Sequence, residues 1–201
     1  RTIYGSDSHI IYDNITEAQA AALKKHPAVK ETAALSVTGV LSDEMLENRN
    51  VKLAEVSEGW AKATGAVPLS GRMPVEKDEI ALDEITMNSL VIPHEIGAEV
   101  PIRWQSEDGE EHMHTFRLSG WWRNPAVETD SCAWITEETA GELCDKTADT
   151  LMLVVTLYRP GDVEKQAMDM LAELGMENIS YTTNLAYNEA RQDYAGREAM
   201  A

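Results

Sequence analysis

The first third of the chain alternates apolar and polar positions in a way that predicts short strands separated by short helices. Residues 8–14 form a β-rich run, and Thr16 followed by Gln19 has the spacing of a capping box that begins a helix. That helix should end before Pro27, since proline cannot continue it. The pattern then predicts two strands and one helical turn, in residues 29–43, 50–58 and 58–65.

A similar order returns near the other end of the chain. Residues 151–157 are almost continuously apolar, as expected of a strand buried on both faces. Asp162 can cap a following helix with one apolar stripe, and Gly175 can end that helix in the left-handed conformation. Residues 178–184 predict the closing strand. Two β-α-β units therefore indicate a sheet with helices packed on one side.

Between these two units, apolar residues recur at every second position, as in strands, instead of at helical spacing. Residues 79–84, 99–105 and 112–122 are alternating runs separated by turn residues, with one helix over 84–91. In the hairpin a three-residue loop with a bulge would place Val100 opposite Leu118 and Ile102 opposite Phe116, keeping the apolar side chains on one face.

We therefore predict a two-lobed α+β fold. Residues 7–65 and 125–184 would form a discontinuous α/β lobe, residues 66–124 an inserted β-rich lobe, and residues 185–201 a juxtamembrane helical segment.

The charge narrows the choice of partners. The chain has 201 residues, 35 acidic and 17 basic, and a formal net charge of −18. Such a chain repels nucleic acid and anionic lipid, whereas cationic partners remain possible. Its length and its 43% hydrophobic content suffice for a real core. No stretch of the sequence approaches the length of a membrane span, and a chain that opens on Arg1 is expected to be part of something longer.

The candidate chemical groups are few. Cys132 and Cys144 are either a disulfide pair or two buried apolar thiols, and their number does not fix the redox compartment. His112 and His114 lie on one face of a strand beside Glu110 and Glu111, which is a possible metal pair without an evident third ligand. No phosphate-binding glycine loop or nucleophile motif is present in the sequence. We therefore assign no residue to catalysis, cofactor binding or metal binding.

A motif that leads into the strand predicted over residues 79–84 resembles a known family. The segments "LSGRMPVEKDEIALDEITMNSL", "IGAEVPIRW" and "FRLSGWW" are similar to the extracytoplasmic core domain of MacB-type, FtsX-like ABC transporter permeases. The positions that carry the resemblance are Gly71, Arg72, Pro74, Glu79, Ile80, Leu82, Ile96, Gly97, Val100 and Gly120. Apart from the family, Gly71 permits a positive φ, and Arg72 could donate to a backbone carbonyl or to Asp78 or Glu79.

The resemblance implies the extracytoplasmic side of a cell membrane, a permease dimer and a cytoplasmic ATP-binding subunit. The permease would export or release a peptide, lipoprotein or antibiotic-like substrate, or signal mechanically across the membrane. The acidic segment 106–111 suggests a cationic peptide as ligand. The chain itself is expected to be no enzyme and to bind neither ATP nor metal. Two alternatives stay open: a free-standing extracellular solute- or peptide-binding module, and a metal-dependent hydrolase that uses His112 and His114.

Overall fold

The structure is a computed structural model, and it describes residues 8–123, 130–144 and 151–184. In chain order the elements are β1 (Ile10–Ile15), α1 (Glu17–Lys24), β2 (Val29–Leu41), β3 (Asn50–Glu55), α2 (Glu58–Thr64), β4 (Ser70–Gly71), β5 (Glu79–Asp83), α3 (Glu84–Ser89), β6 (Glu99–Gln105), β7 (Glu111–Trp122), β8 (Asp130–Ile135), α4 (Glu137–Leu143), β9 (Leu151–Leu157), α5 (Val163–Glu173) and β10 (Tyr181–Thr183). The mixture of strands and helices confirms the predicted α+β class.

The chain divides into two compact units. One consists of Arg1–Ala34 with Asp149–Ala201, and the other of Leu35–Ala148, so the boundary between them falls within β2. These boundaries differ from those of the predicted lobes, which lay at 65/66 and 124/125. The reason is hydrogen bonding: β5 of the predicted insert pairs with β8, which in turn pairs with β3. Strands from both predicted lobes thus belong to one unit.

The first unit is a sheet covered by two helices on one face. Its strand order is β10-β1-β9-β2, and β1 is antiparallel to both of its neighbours. This is the order of the ferredoxin-like split β-α-β arrangement. One apolar cluster joins Leu23 of α1 and Met170 of α5 to Tyr12 and Leu153 of the sheet. The Tyr12 hydroxyl also donates to the Ala167 carbonyl at 2.9 Å, which fixes α5 on the sheet.

The second unit is built around a closed ring of strands. From β2 the pairings run through β3, β8, β5, β7 and β6, and β6 pairs again with β2. The short strand β4 pairs with β7 outside the ring. A closed ring leaves no free strand edges, and its inward-facing side chains form the core. Leu53, Ile80, Ile102, Phe116 and Ile135 are among the buried residues of that core.

The local predictions in the first third of the chain hold. Thr16 and Gln19 form the capping box of α1, which ends at Lys24 as expected before Pro27. Farther along, Gly175 follows α5 with φ +68, the left-handed conformation that was predicted. Asp162 occupies the N-cap of α5 but makes no side-chain capping hydrogen bond, because its own backbone is left-handed. Asp162 thus stands at the start of α5 as predicted, but the prediction that its side chain caps the helix was wrong.

The predicted register of the β6–β7 hairpin was also wrong. Val100 lies opposite Phe116 and Ile102 opposite His114, a shift of two residues from the predicted pairs. The loop has the predicted length, since the Ser106 N–H donates to the Glu110 carbonyl at 3.0 Å and leaves three residues, 107–109, between them. The register differs because this loop is centred on Asp108, whereas the predicted pairs require a loop centred on Gly109. A shift of two keeps the alternation of faces, so Val100 and Ile102 are buried as expected.

The predicted helical segment 185–201 lies outside the described residues. Among the helices that the structure does describe, none is long and apolar enough to cross a membrane.

Candidate functional site

The turn before β5 is held by a buried carboxylate. The Arg72 guanidinium donates two hydrogen bonds to the Glu79 carboxylate, at 2.9 and 3.0 Å. The same carboxylate accepts the backbone N–H groups of Val75 at 3.0 Å and Glu76 at 2.6 Å. Of the acceptors predicted for Arg72, the structure thus confirms Glu79 and a backbone carbonyl, that of Met73 at 3.4 Å. The arginine, the turn and the first residue of the strand form one hydrogen-bonded unit.

Gly71 and Gly120 let two backbones meet at the same turn. Gly71 has φ +68, as predicted, and it pairs with Gly120 between β4 and β7. A Cβ atom on Gly120 would lie 2.5 Å from the Arg72 carbonyl oxygen and 2.9 Å from the Ser70 carbonyl oxygen. Ser119 closes the contact, since its hydroxyl donates to the Arg72 carbonyl at 2.9 Å. The residues of the recognised motif therefore have a structural role at this crossing.

Glu79 should make the stability of the second unit depend on pH. Burial raises the pKa of Glu79, but hydrogen bonds from the Glu76 and Val75 backbones and from Arg72 outweigh burial, so the net pKa is below its ordinary value. A lowered carboxyl pKa means that the ionised group stabilises the fold above the ordinary pKa. This stabilisation is lost as the pH falls through the folded-state pKa.

We expect Glu79→Gln to lower the free energy of unfolding by about 2 kcal/mol at pH 7, because charge-assisted bonds become neutral ones. The difference from the wild type should shrink as the pH falls below about 4. Urea denaturation at several pH values measures both effects. Glu76→Gln is the matched control, because the Glu76 side chain is exposed, and it should change stability by less than about 0.5 kcal/mol. A difference that stays constant down to pH 3 would contradict the role of the Glu79 charge.

A second acidic group, Asp83, is fully buried at the end of β5. Its carboxylate accepts the Thr86 N–H at 2.8 Å, the Thr86 hydroxyl at 2.6 Å and the Ser131 hydroxyl at 2.6 Å. Arg49 supplies the balancing charge at 3.2 Å. The cluster links β5, α3 and β8 to the segment that precedes β3. Because the Asp83 side chain is 0% exposed, it has no face open to a ligand, and its role is structural.

The β6–β7 hairpin carries the candidate metal-binding residues. The His112 ring stacks on Trp104 with centroids 5.2 Å apart and an interplanar angle of 16°. Its Nε2 atom lies 2.9 Å from the Ser106 hydroxyl. Asp108, Glu110 and His112 each offer a ligand atom, and these atoms all lie within 4.8 Å of one another. In the described ranges this is the one set of three such residues with that spacing.

His114 does not join this set. Its Nε2 atom lies 2.7 Å from Asp78 Oδ1, and its ring packs edge-on against Phe116 with centroids 4.7 Å apart. The predicted pairing of His112 with His114 is therefore not the grouping in the structure, because the imidazole of each faces a different carboxylate. The sequence predicts Glu110 beside His112 but does not predict Asp108 there, because the position of Asp108 depends on the register of the hairpin.

Neither Cys132 nor Cys144 forms a disulfide. The sequence left open whether these two cysteines pair, and the structure shows that they do not. Cys132 is buried in β8, and burial raises the pKa of its thiol to about 12. A thiol with such a high pKa is protonated at neutral pH and is a poor nucleophile.

Comparison with solved structures relates this geometry to known proteins. The periplasmic region of MacB from Actinobacillus actinomycetemcomitans superposes with a TM-score of 0.55 at 14% identity, covering 95% of this chain and 94% of that one. The chain has the fold of the MacB periplasmic region. The extracellular domain of the ABC-type transporter YknZ from Gram-positive bacteria gives a TM-score of 0.49 at 11% identity, over 88% of this chain and 98% of that one. A domain of a permease protein from Porphyromonas gingivalis, described as putative, gives 0.46 at 12% identity, over 92% of each chain.

No protein-family model matches the chain, and no curated protein matches it in sequence. The similarity to MacB is therefore one of fold, and it agrees with the expectation drawn from the residues around Gly71 and Gly120.

Proposed function

We propose that the chain is the extracytoplasmic domain of an ABC transporter permease subunit. The observation that carries the proposal is the fold shared with the periplasmic region of MacB over nearly the whole of both chains. The sequence motif that resembles the permease family also supports the proposal. Its residues Arg72 and Glu79 lie together at one turn with Gly120, which is distant from both in the sequence. In such a permease the chain would lie on the outer side of the cell membrane.

The path of the chain through the first unit agrees with such an arrangement. The strands β1 and β10 are antiparallel neighbours, so the beginning of one lies beside the end of the other. The Asn184 N–H donates to the His9 carbonyl at 2.9 Å, and the Asn184 side-chain amide donates to the Ser8 carbonyl at 3.2 Å. A domain whose two connections leave side by side is suited to insertion between two membrane helices.

The proposed partners are those of a permease. A cytoplasmic ATP-binding subunit would act through the membrane-spanning part of the protein, and two permease subunits would form a dimer. ATP hydrolysis would then drive the export or release of a peptide, lipoprotein or antibiotic-like substrate, or a mechanical signal. The full-length natural protein, purified in mild detergent, should co-purify with an ATPase. Recovery of the full-length protein as a monomer with no ATPase subunit would contradict this assignment.

The charge distribution supports a cationic peptide as ligand. Residues 35–148 contain 22 acidic and 9 basic residues, so most of the negative charge of the chain lies in the second unit. The hairpin tip contributes four acidic residues within 106–111 and no basic one. A surface that carries charge of one sign attracts an oppositely charged ligand and increases the rate at which that ligand associates.

A deca-lysine peptide should bind the chain with strongly salt-dependent affinity. We expect the dissociation constant to rise at least about tenfold between 20 and 300 mM NaCl, because exposed charges are screened over the Debye length. Fluorescence anisotropy with labelled peptide measures it. The double variant Glu107→Gln, Glu111→Gln should bind more weakly than Glu137→Gln, Glu138→Gln, which removes the same charge from α4. Equal effects of the two double variants, or salt-independent binding, would contradict a ligand site at the tip.

A further inference from the structure

The tip of the β6–β7 hairpin brings together three potential metal ligands of two chemical kinds. Asp108 and Glu110 offer carboxylate oxygens and His112 offers a ring nitrogen, with all three ligand atoms within 4.8 Å of one another. Ligands bound to one ion at about 2.0–2.2 Å stand roughly 3–3.5 Å apart. The observed spacing therefore needs only a small closure of exposed side chains. We propose that this tip binds one divalent transition-metal ion, and Zn²⁺ is the ion used below to test the site.

The imidazole distinguishes this set from an ordinary acidic surface. Stacking on Trp104 restricts the orientation of the His112 ring, and Nε2 points toward Ser106, with Glu110 Oε2 3.9 Å away. A nitrogen donor beside two carboxylates suits Zn²⁺ and its neighbours, whereas Ca²⁺ and Mg²⁺ prefer oxygen ligands alone. The side chains thus favour a transition-metal ion over the alkaline-earth ions.

The hydrogen bonds of the loop can adapt to an ion. The Ser106 hydroxyl donates its hydrogen to Asp108 Oδ1, so its oxygen accepts a hydrogen bond from the Nε2–H of His112. An ion at Nε2 would replace that proton, which would move to Nδ1, while the bond from Ser106 to Asp108 is retained.

Three protein ligands leave at least one coordination position open. Water or a donor from a bound partner would complete the shell, as in metal sites that are not purely structural. The four carboxylates of residues 106–111 have no basic neighbour within the segment, so a divalent ion would relieve their mutual repulsion. The inference does not depend on the proposed transport function, and it departs from the sequence-based expectation that the chain binds no metal.

Calorimetric titration of the purified chain with Zn²⁺ at pH 7.5 tests the site. We expect one ion per chain, and an affinity at least about tenfold lower in each of the variants Asp108→Asn, Glu110→Gln and His112→Gln. The matched controls are Glu107→Gln, an exposed acid on the same loop, and His114→Gln, a histidine on the same strand and face. Each control should stay within about threefold of the wild type, and unchanged urea midpoints should show that all the variants are folded.

A spectroscopic readout separates a built site from diffuse attraction. Substoichiometric Co²⁺ should broaden the ring signals of His112 in the NMR spectrum before those of His26 and His94, with His112→Gln supplying the assignment. The proposal is overturned by any of three results: no heat of binding up to 1 mM Zn²⁺, a loss for Glu107→Gln as large as for Glu110→Gln, or unselective broadening of the histidines. The second and third results would mean that the negative charge of the tip attracts cations without forming a site.

Discussion

Replacing Asp83 with alanine is expected to lower the free energy of unfolding by about 3–5 kcal/mol. The carboxylate is fully buried and accepts hydrogen bonds from Thr86 and Ser131 while it balances the charge of Arg49. Its removal leaves a charged guanidinium that is only 10% exposed, together with donors in the interior that have lost their acceptor. Urea denaturation followed by tryptophan fluorescence measures the loss, because four of the five tryptophans are buried.

Asp43→Ala is the matched control for this prediction. Asp43 also caps a helical turn, accepting the Met45 N–H at 2.9 Å, but it lies on a partly exposed turn. Loss of such a cap should cost about 1 kcal/mol. If Asp83→Ala costs no more than Asp43→Ala, the buried cluster does not stabilise the second unit as we infer.

Gly120→Ala should be nearly as damaging, with an expected loss of about 3 kcal/mol and release of β4 from β7. The new methyl group would meet backbone atoms of Arg72 and Ser70 at 2.5–2.9 Å, and backbone atoms cannot rotate away as the end of a side chain can. Hydrogen exchange of the Arg72 amide, which donates to the Ser119 carbonyl at 2.8 Å, reports the release directly.

Gly141→Ala provides the matched comparison for Gly120→Ala. Gly141 lies in α4 with no atom near the position of an added Cβ, so alanine should leave the stability unchanged or raise it by up to about 1 kcal/mol. If Gly120→Ala proved as harmless, with the Arg72 amide still protected, the close approach of β4 and β7 would not be needed for the fold.

The parts of this fold that follow local rules could be predicted from the sequence. The capping box at Thr16, the left-handed Gly175 and the buried strand of residues 151–157 each depend on neighbours in the chain. The bond between Arg72 and Glu79 was also accessible, since the two residues are seven positions apart and flank a turn. In each case the deciding signal lies within a few neighbouring residues of the sequence.

The parts that depend on distant partners could not be predicted in the same way. Ser131 donates a hydrogen bond to Asp83, which is 48 positions away in the sequence, and no pattern in either segment predicts this contact. The boundary between the units was missed because β8 follows the predicted insert in sequence yet hydrogen-bonds to β5 within it. Asp108 lies beside His112 because the loop is centred on Asp108, one residue earlier than the predicted register required.

The most direct test of the proposed role asks on which side of the membrane the hairpin tip lies. A single cysteine in place of the exposed Glu107, in the full-length natural protein with other reactive cysteines replaced, can be labelled in intact spheroplasts with a membrane-impermeant maleimide. Cys144→Ser is one of those replacements, while buried Cys132 should react poorly. We predict full labelling of Glu107→Cys before lysis. Labelling that occurs only after lysis would place the domain in the cytoplasm and contradict the assignment.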